Sequence, residues 1–264
     1  MDDHKPTLAD MVNSLTGEPG RLTAHLSPFW MQGRTAFGGI TAALALAAAR
    51  RSLPELPELR SMQAAFLRPV LDEVTFEVTL IRAGRTASFV QVDAISDGAL
   101  GARMTFVFGA ARPSVIVHDY GPVPVLPDPV ECTPLIRRSS APSFFSNFDA
   151  VIIEGDQLVS GSDRPEVIVW SRLLHPEGVS PEIALICNAD SMPPAAMPTF
   201  KERAPISTIT WSLDMARMPS KADWLWTRTT SKQAAEGYSV QDMELRDTDG
   251  SLVASAQQMV ALFL

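Results

Sequence analysis

Two stretches of this chain copy one another. Ser96-Asp97-Gly98-Ala99-Leu100-Gly101-Ala102 and Thr248-Asp249-Gly250-Ser251-Leu252-Val253-Ala254 share an Asp-Gly pair and a following Leu. Each stands between an alternating segment and a terminal apolar run. A second echo lies upstream: Phe66-Leu67-Arg68-Pro69 before the first copy and Ala216-Arg217-Met218-Pro219 before the second. The two spacings differ by two residues, which a longer hairpin absorbs. A chain repeated in this way is expected to fold as a pseudo-dimer. A site between the halves can then draw different residues from each.

The bulk numbers leave room for this. The chain has 264 residues, 46% of them hydrophobic, enough for one large core or two fused smaller ones. A net charge of −8 argues against unspecific binding to nucleic acid or to an anionic membrane surface. Cys132 and Cys187 are the only cysteines, too few for a disulfide scaffold or a Cys-rich zinc site. A reducing, cytoplasmic setting is expected. Residues 1–5 are acidic and lead into no apolar stretch of a secretory signal. No apolar run approaches ~18 residues, so no membrane span is expected.

The first half begins with a short element around residues 21–26. Arg34-Thr35-Ala36-Phe37-Gly38-Gly39 then leads into an Ala/Leu-rich stretch over 40–51, read as a buried helix closed by Arg50-Arg51. Strands are expected near 60–68, 73–83, 87–96 and 101–110, with a hairpin at Asp97-Gly98. Residues 113–142 hold seven prolines and read as a linker over the surface, neither strand nor helix. The second half repeats the plan: a strand at 165–175, a helix from about 181, and strands near 205–215, 222–231, 238–247 and 252–263, with Asp249-Gly250 in the matching hairpin. The expected domains are 1–112, a linker at 113–145, and 146–264. A helix followed by an antiparallel meander, made twice, gives an α+β chain. A long helix wrapped by a curved sheet is the hotdog fold, and two in one chain make a double hotdog.

Four places could carry chemistry. Ser180-Pro181-Glu182 is a good helix start, and from it Ile183, Ile186, Cys187 and Asp190 fall on one face. Asp190 thus points where core residues point, which is costly for a carboxylate without a partner. It is either a functional acid or a cap for the turn over 191–194. In the strand at 206–215, strict alternation puts Ile206, Thr208, Thr210, Ser212 and Asp214 on one face, either a solvated face or a site wall. In the last strand Gln258 is the lone amide in an apolar row, while Gln257 on the other face is the competing candidate. Gly38 and Gly39 open a helix whose first N–H groups have no internal partner. They suit either a carbonyl oxygen gaining charge or an ordinary helix start that needs positive φ.

The histidines lie elsewhere: His4, His25, His118 and His175 fall outside these elements. No His-x-x-x-His pair, nucleophile elbow, G-x-G-x-x-G or Walker loop is present. Neither a metal nor a nucleotide cofactor is expected.

These residues resemble a known family. The chain is similar to double-hotdog acyl-CoA thioesterases of the bacterial thioesterase II type. The matching stretches are residues 34–39, Ser61-Met62-Gln63-Ala64-Ala65-Phe66-Leu67-Arg68-Pro69, Asn188-Ala189-Asp190 and Leu252-Val253-Ala254-Ser255-Ala256-Gln257-Gln258, in the family's order over nearly the whole chain. The resemblance implies hydrolysis of an acyl-CoA to free acid and CoA, a place in lipid metabolism, and no cofactor beyond the CoA of the substrate. It implies that Asp190, Thr208 and Gln258 orient the attacking water, with Gly38 and Gly39 holding the oxyanion. Thr210 shares the face of Thr208 and is the alternative threonine. The chain departs from the family at Thr210-Trp211-Ser212, where Asp-His-Ser is common. Met62, Phe66 and Trp211 are either core or walls of an acyl tunnel. A homo-oligomer is expected. The alternatives are an enoyl-CoA hydratase, for which no suitably placed His is found, and a non-catalytic acyl-CoA-binding or assembly module.

Overall fold

The computed structural model describes residues 5–120, 124–136, 141–219, 221 and 223–264. A short helix, α1 (Leu8–Asn13), is held by a reciprocal capping box between Thr7 and Asp10. The strands β1 (Thr16–Glu18), β2 (Arg21–His25), β3 (Met31–Gln32) and β4 (Thr35–Ala36) precede the long helix α2 (Gly38–Ser52). The first meander follows as β5 (Leu59–Phe66), β6 (Glu73–Ala83), β7 (Ser88–Ser96) and β8 (Ala99–Phe108). Past the proline-rich stretch come β9 (Thr133–Pro134), β10 (Phe148–Glu154), β11 (Glu166–Leu173) and the helix α3 (Pro181–Ala189). The second meander is β12 (Ile206–Met215), β13 (Leu225–Ala235), β14 (Tyr238–Arg246) and β15 (Leu252–Leu262). Both helices and all eight meander strands lie where the sequence pattern puts them. The pattern misses α1, β1, β3, β4 and β10. In Val151-Ile152-Ile153 a run of β-branched residues hides the alternation of β10.

Among the described residues, all strands but β3 and β4 join one sheet in the order β1-β2-β6-β7-β8-β5-β12-β15-β14-β13-β11-β10-β9. The order reads the same from either side of the β5–β12 seam. Thus β5 matches β12, β8 matches β15, β7 matches β14, β6 matches β13 and β2 matches β11. The repeated sequence is also a repeated backbone. The Leu67 and Arg68 N–H groups both donate to the Gly101 carbonyl, at 2.8 and 3.0 Å. Those of Ala216 and Arg217 both donate to the Val253 carbonyl, at 2.8 and 3.2 Å. After their turns the two copies match as written, Leu100 with Leu252 and Gly101 with Val253, while the second hairpin is one residue longer. The upstream echo is not in this register: Arg68 matches Arg217, one residue away from the alignment through Pro69 and Pro219.

Two further differences from the sequence reading have physical causes. The proline-rich stretch is mostly irregular, but Thr133 and Pro134 add a two-residue edge strand against β10. Proline is tolerated there because an edge strand has one side without ladder partners. Residues 121–123 and 137–140 of that stretch lie outside the described residues. In β12 the pairing with β15 slips between Thr208 and Thr210, leaving Ile209 as a bulge. Strict alternation is broken there. Thr208 joins the inner row with Trp211 and Leu213, opposite Val260, while Thr210 stays on the exposed outer face. The two threonines do not share a face.

Helix α2 is buried from Gly39 to Ala49 and packs against both the sheet and α3, with one continuous core spanning the two halves. Met62 and Trp211 are plain core, at 0% and 1% exposure. No helix among the described residues is long and apolar enough to cross a membrane. Two helices, each wrapped by its own half of a curved antiparallel sheet, make the α+β double hotdog expected from sequence.

Candidate active site

A cavity of about 860 Å³ lies where the N-terminus of α2 meets the C-terminus of α3. The first half supplies residues 35–38 and 66–70, and the second supplies Asp190, Met192, residues 203–208 and Gln258. Of the residues singled out from sequence, Gly38, Asp190, Thr208 and Gln258 line this one space, and Thr210 does not. Phe66 lines it too, unlike Met62 and Trp211. No histidine does.

Asp190 is the C-cap residue of α3, so its side chain leaves the helix at the cavity wall. It does not cap the following turn. Its Oδ1 accepts a hydrogen bond of 2.7 Å from Nε2 of Gln258. The Gly39 amide, at the start of α2, lies close enough to the same carboxylate to favour its ionised form. Burial nevertheless dominates: desolvation pushes the carboxyl up to about 7, while the Gln258 bond and the nearby Gly39 amide pull it down. The group is thus poised to gain or lose a proton near neutrality.

The two glycines are explained by space. Neither takes a positive φ. A Cβ at position 38 would sit 2.6 Å from Oδ2 of Asp190, and one at position 39 would sit 2.7 Å from the Cys187 carbonyl. Only glycine lets the two helix ends and the carboxylate approach this closely.

Gln258 is 4% exposed on the inner row of β15, whereas Gln257 faces outward and donates to Asp242 at 2.9 Å. Inside, Gln258 does not stand alone. Its Oε1 accepts from Nε2 of Gln241 at 2.7 Å, and Oε1 of Gln241 accepts from the Ala195 N–H at 3.0 Å. Gln241 is 1% exposed and lies directly opposite Gln258 on β14. It escapes the sequence reading, although its place in the row Ser239, Gln241, Met243, Leu245 carries the same signal as that of Gln258: an amide in an inward-facing row.

A second feature missed from sequence is the turn at residues 143–147. Ser143 donates to the Pro28 carbonyl at 2.6 Å, and Asn147 donates to that of Phe29 at 2.7 Å. These bonds seat Phe144 on Phe37 with ring centroids 4.1 Å apart and interplanar angle 2°. Phe144 and Phe145 thereby become an aromatic wall of the cavity. The end of the proline-rich stretch is part of the site.

Residues 26–109 match the acyl-CoA thioesterase N-terminal domain family, and residues 123–262 match the acyl-CoA thioesterase C-terminal domain family. No curated protein matches the chain. Among solved structures, a protein of unknown function with a hot dog fold from Alicyclobacillus acidocaldarius superposes with a TM-score of 0.86 at 21% identity, covering 98% of this chain and 99% of that one. A putative thioesterase II from Thermobifida fusca gives 0.83 at 19% identity, covering 99% of each chain. An acyl-CoA thioesterase II from Mycobacterium marinum gives 0.74 at 21% identity, covering 96% and 97%. With both of its halves matched in order by the two domains of one family, this chain belongs to the acyl-CoA thioesterases, a family of thioester hydrolases.

Proposed function

We propose that the chain hydrolyses an acyl-CoA in this cavity with Asp190 as general base. The observation that carries the reading is a carboxylate on a cavity wall, pushed up to about 7 and held by Gln258 and the start of α2. Ionised Asp190 accepts a proton from a water that Gln258 and Thr208 help to position. The water oxygen attacks the thioester carbonyl carbon. The carbonyl oxygen takes the negative charge and is met by the Gly38 N–H, a first-turn amide with no intrahelical acceptor. Collapse of the tetrahedral intermediate breaks the C–S bond. CoA leaves as a thiolate, a good leaving group that needs no cofactor to depart. Arg68 and Arg203, which line the same cavity, supply positive charge for the phosphates of CoA.

The test is CoA release from acetyl-, hexanoyl-, decanoyl-, palmitoyl- and benzoyl-CoA, with Asp190→Ala as control. A general base contributes about 10²–10⁴-fold, so Asp190→Ala should lose activity on that order while staying folded. Activity surviving in Asp190→Ala would discard the assignment. Tight binding without release from any substrate would move the chain to a non-catalytic acyl-CoA-binding role.

A further inference from the structure

Amide side chains carry no intrinsic direction, because either end can face either neighbour. In this site the direction is set from outside. The Ala195 N–H can only donate, so the amide of Gln241 must turn its oxygen to it. The NH₂ of Gln241 then faces Gln258, which must answer with its own oxygen. The NH₂ of Gln258 is left for Asp190. Reversing any one amide would set two donors or two acceptors against each other inside the core, where an unsatisfied polar group is costly.

We infer that Gln241 is a positioning residue for the thioesterase reaction, fixing Gln258 with its NH₂ toward Asp190. The inference rests on the proposed role of Asp190. It is supported by the twin half of the molecule. The positions that match Gln241 and Gln258 there are Val90 and Phe106, also paired across two strands and both 0% exposed. The scaffold thus needs no amide at either place. A buried amide pair where an apolar pair serves structurally marks a chemical requirement. With its NH₂ forward, Gln258 stabilises the ionised form of Asp190. With its oxygen forward it would repel that form. The other polar groups near the relay are Ser231, opposite Gln241 on β13, with its partner Ser239. Around Asp190 they are Cys187 on α3 and, on the cavity wall, Arg68 and Arg203.

The test compares Gln241→Glu and Gln241→Met with the wild type, using the best substrate of the acyl-CoA panel. In Gln241→Glu the new carboxyl, when protonated, has one O–H donor and one carbonyl acceptor, the pattern of glutamine. When ionised it only accepts, and it would draw the Gln258 NH₂ away from Asp190. Gln241→Glu should therefore follow the wild-type profile on the acid side and fall reversibly below it as pH rises, adding an alkaline limb that the wild type lacks. That reversal by pH alone separates positioning from a loss of folding. Gln241→Met, which leaves Gln258 undirected, should lower kcat by about tenfold or more with KM little changed. Wild-type kcat and pH profiles in both variants, alongside an inactive Asp190→Ala, would overturn the role of Gln241 and leave Asp190 standing. An active Asp190→Ala would overturn both.

Discussion

Asp190 sits at the last turn of a helix, but what decides its chemistry comes from three other places. Burial raises its pKa, while Gln258 and the Gly39 amide lower it, and burial wins to leave it at about 7. The sign of the consequence follows. A base must be ionised to accept a proton, so kcat/KM should rise about tenfold per pH unit below about 7 and level off above it. A profile flat from about pH 5 to about pH 9 would remove Asp190 from the reaction. For Thr208 the backbone matters as much as the side chain: without the slip at Ile209, alternation would turn Thr208 outward with Thr210.

At the scale of elements, the site is a meeting of helix ends. The positive end of α2 faces a carboxylate delivered by the C-terminus of α3, a favourable pairing of dipole and charge. It depends on glycine at the contact. Gly39→Ala would drive a Cβ to 2.7 Å from the Cys187 carbonyl and 2.5 Å from the Phe37 ring. The helices would have to separate, at a cost of about 1–3 kcal/mol. Urea unfolding should register that loss, and CoA release should fall with it because the Gly39 amide retreats from Asp190. Unchanged stability would mean that α2 slides without strain.

At the scale of the whole molecule, a symmetric scaffold carries asymmetric chemistry. The seam between β5 and β12 relates Leu59 to Thr208, Met62 to Trp211, Val90 to Gln241 and Phe106 to Gln258. The mirrored site is packed with apolar side chains. Where its helix ends meet, Arg50 of α2 makes a two-fold bond to Glu182 of α3, at 2.6 and 2.7 Å, and its guanidinium lies 4.7 Å from the Phe108 ring centroid. One helix crossing is thus a candidate reaction site and the other a structural clasp. Glu182→Gln should cost about 3 kcal/mol, because Arg50 is left without its counter-charge, while kcat stays at the wild-type value. A fall in kcat without a fall in stability would mean that the clasp also serves the reaction.

Much of this is legible in the chain. The Asp97-Gly98 and Asp249-Gly250 copies specify a repeated meander, and local periodicity with two cap signals specifies the helices and their order. Asp190 and Gln258 stand out because a polar group in an inward row violates the pattern around it. Tertiary structure decides the rest. Thr208 cannot be told from Thr210 by sequence, since a bulge depends on the partner strand and not on the residues it displaces. The Gly39 amide cannot be assigned to Asp190, nor Gln241 to Gln258, because each of these contacts joins residues from different elements of the chain. Periodicity records which way a side chain points within its own element. Which side chain it meets is set only when the two halves close on each other.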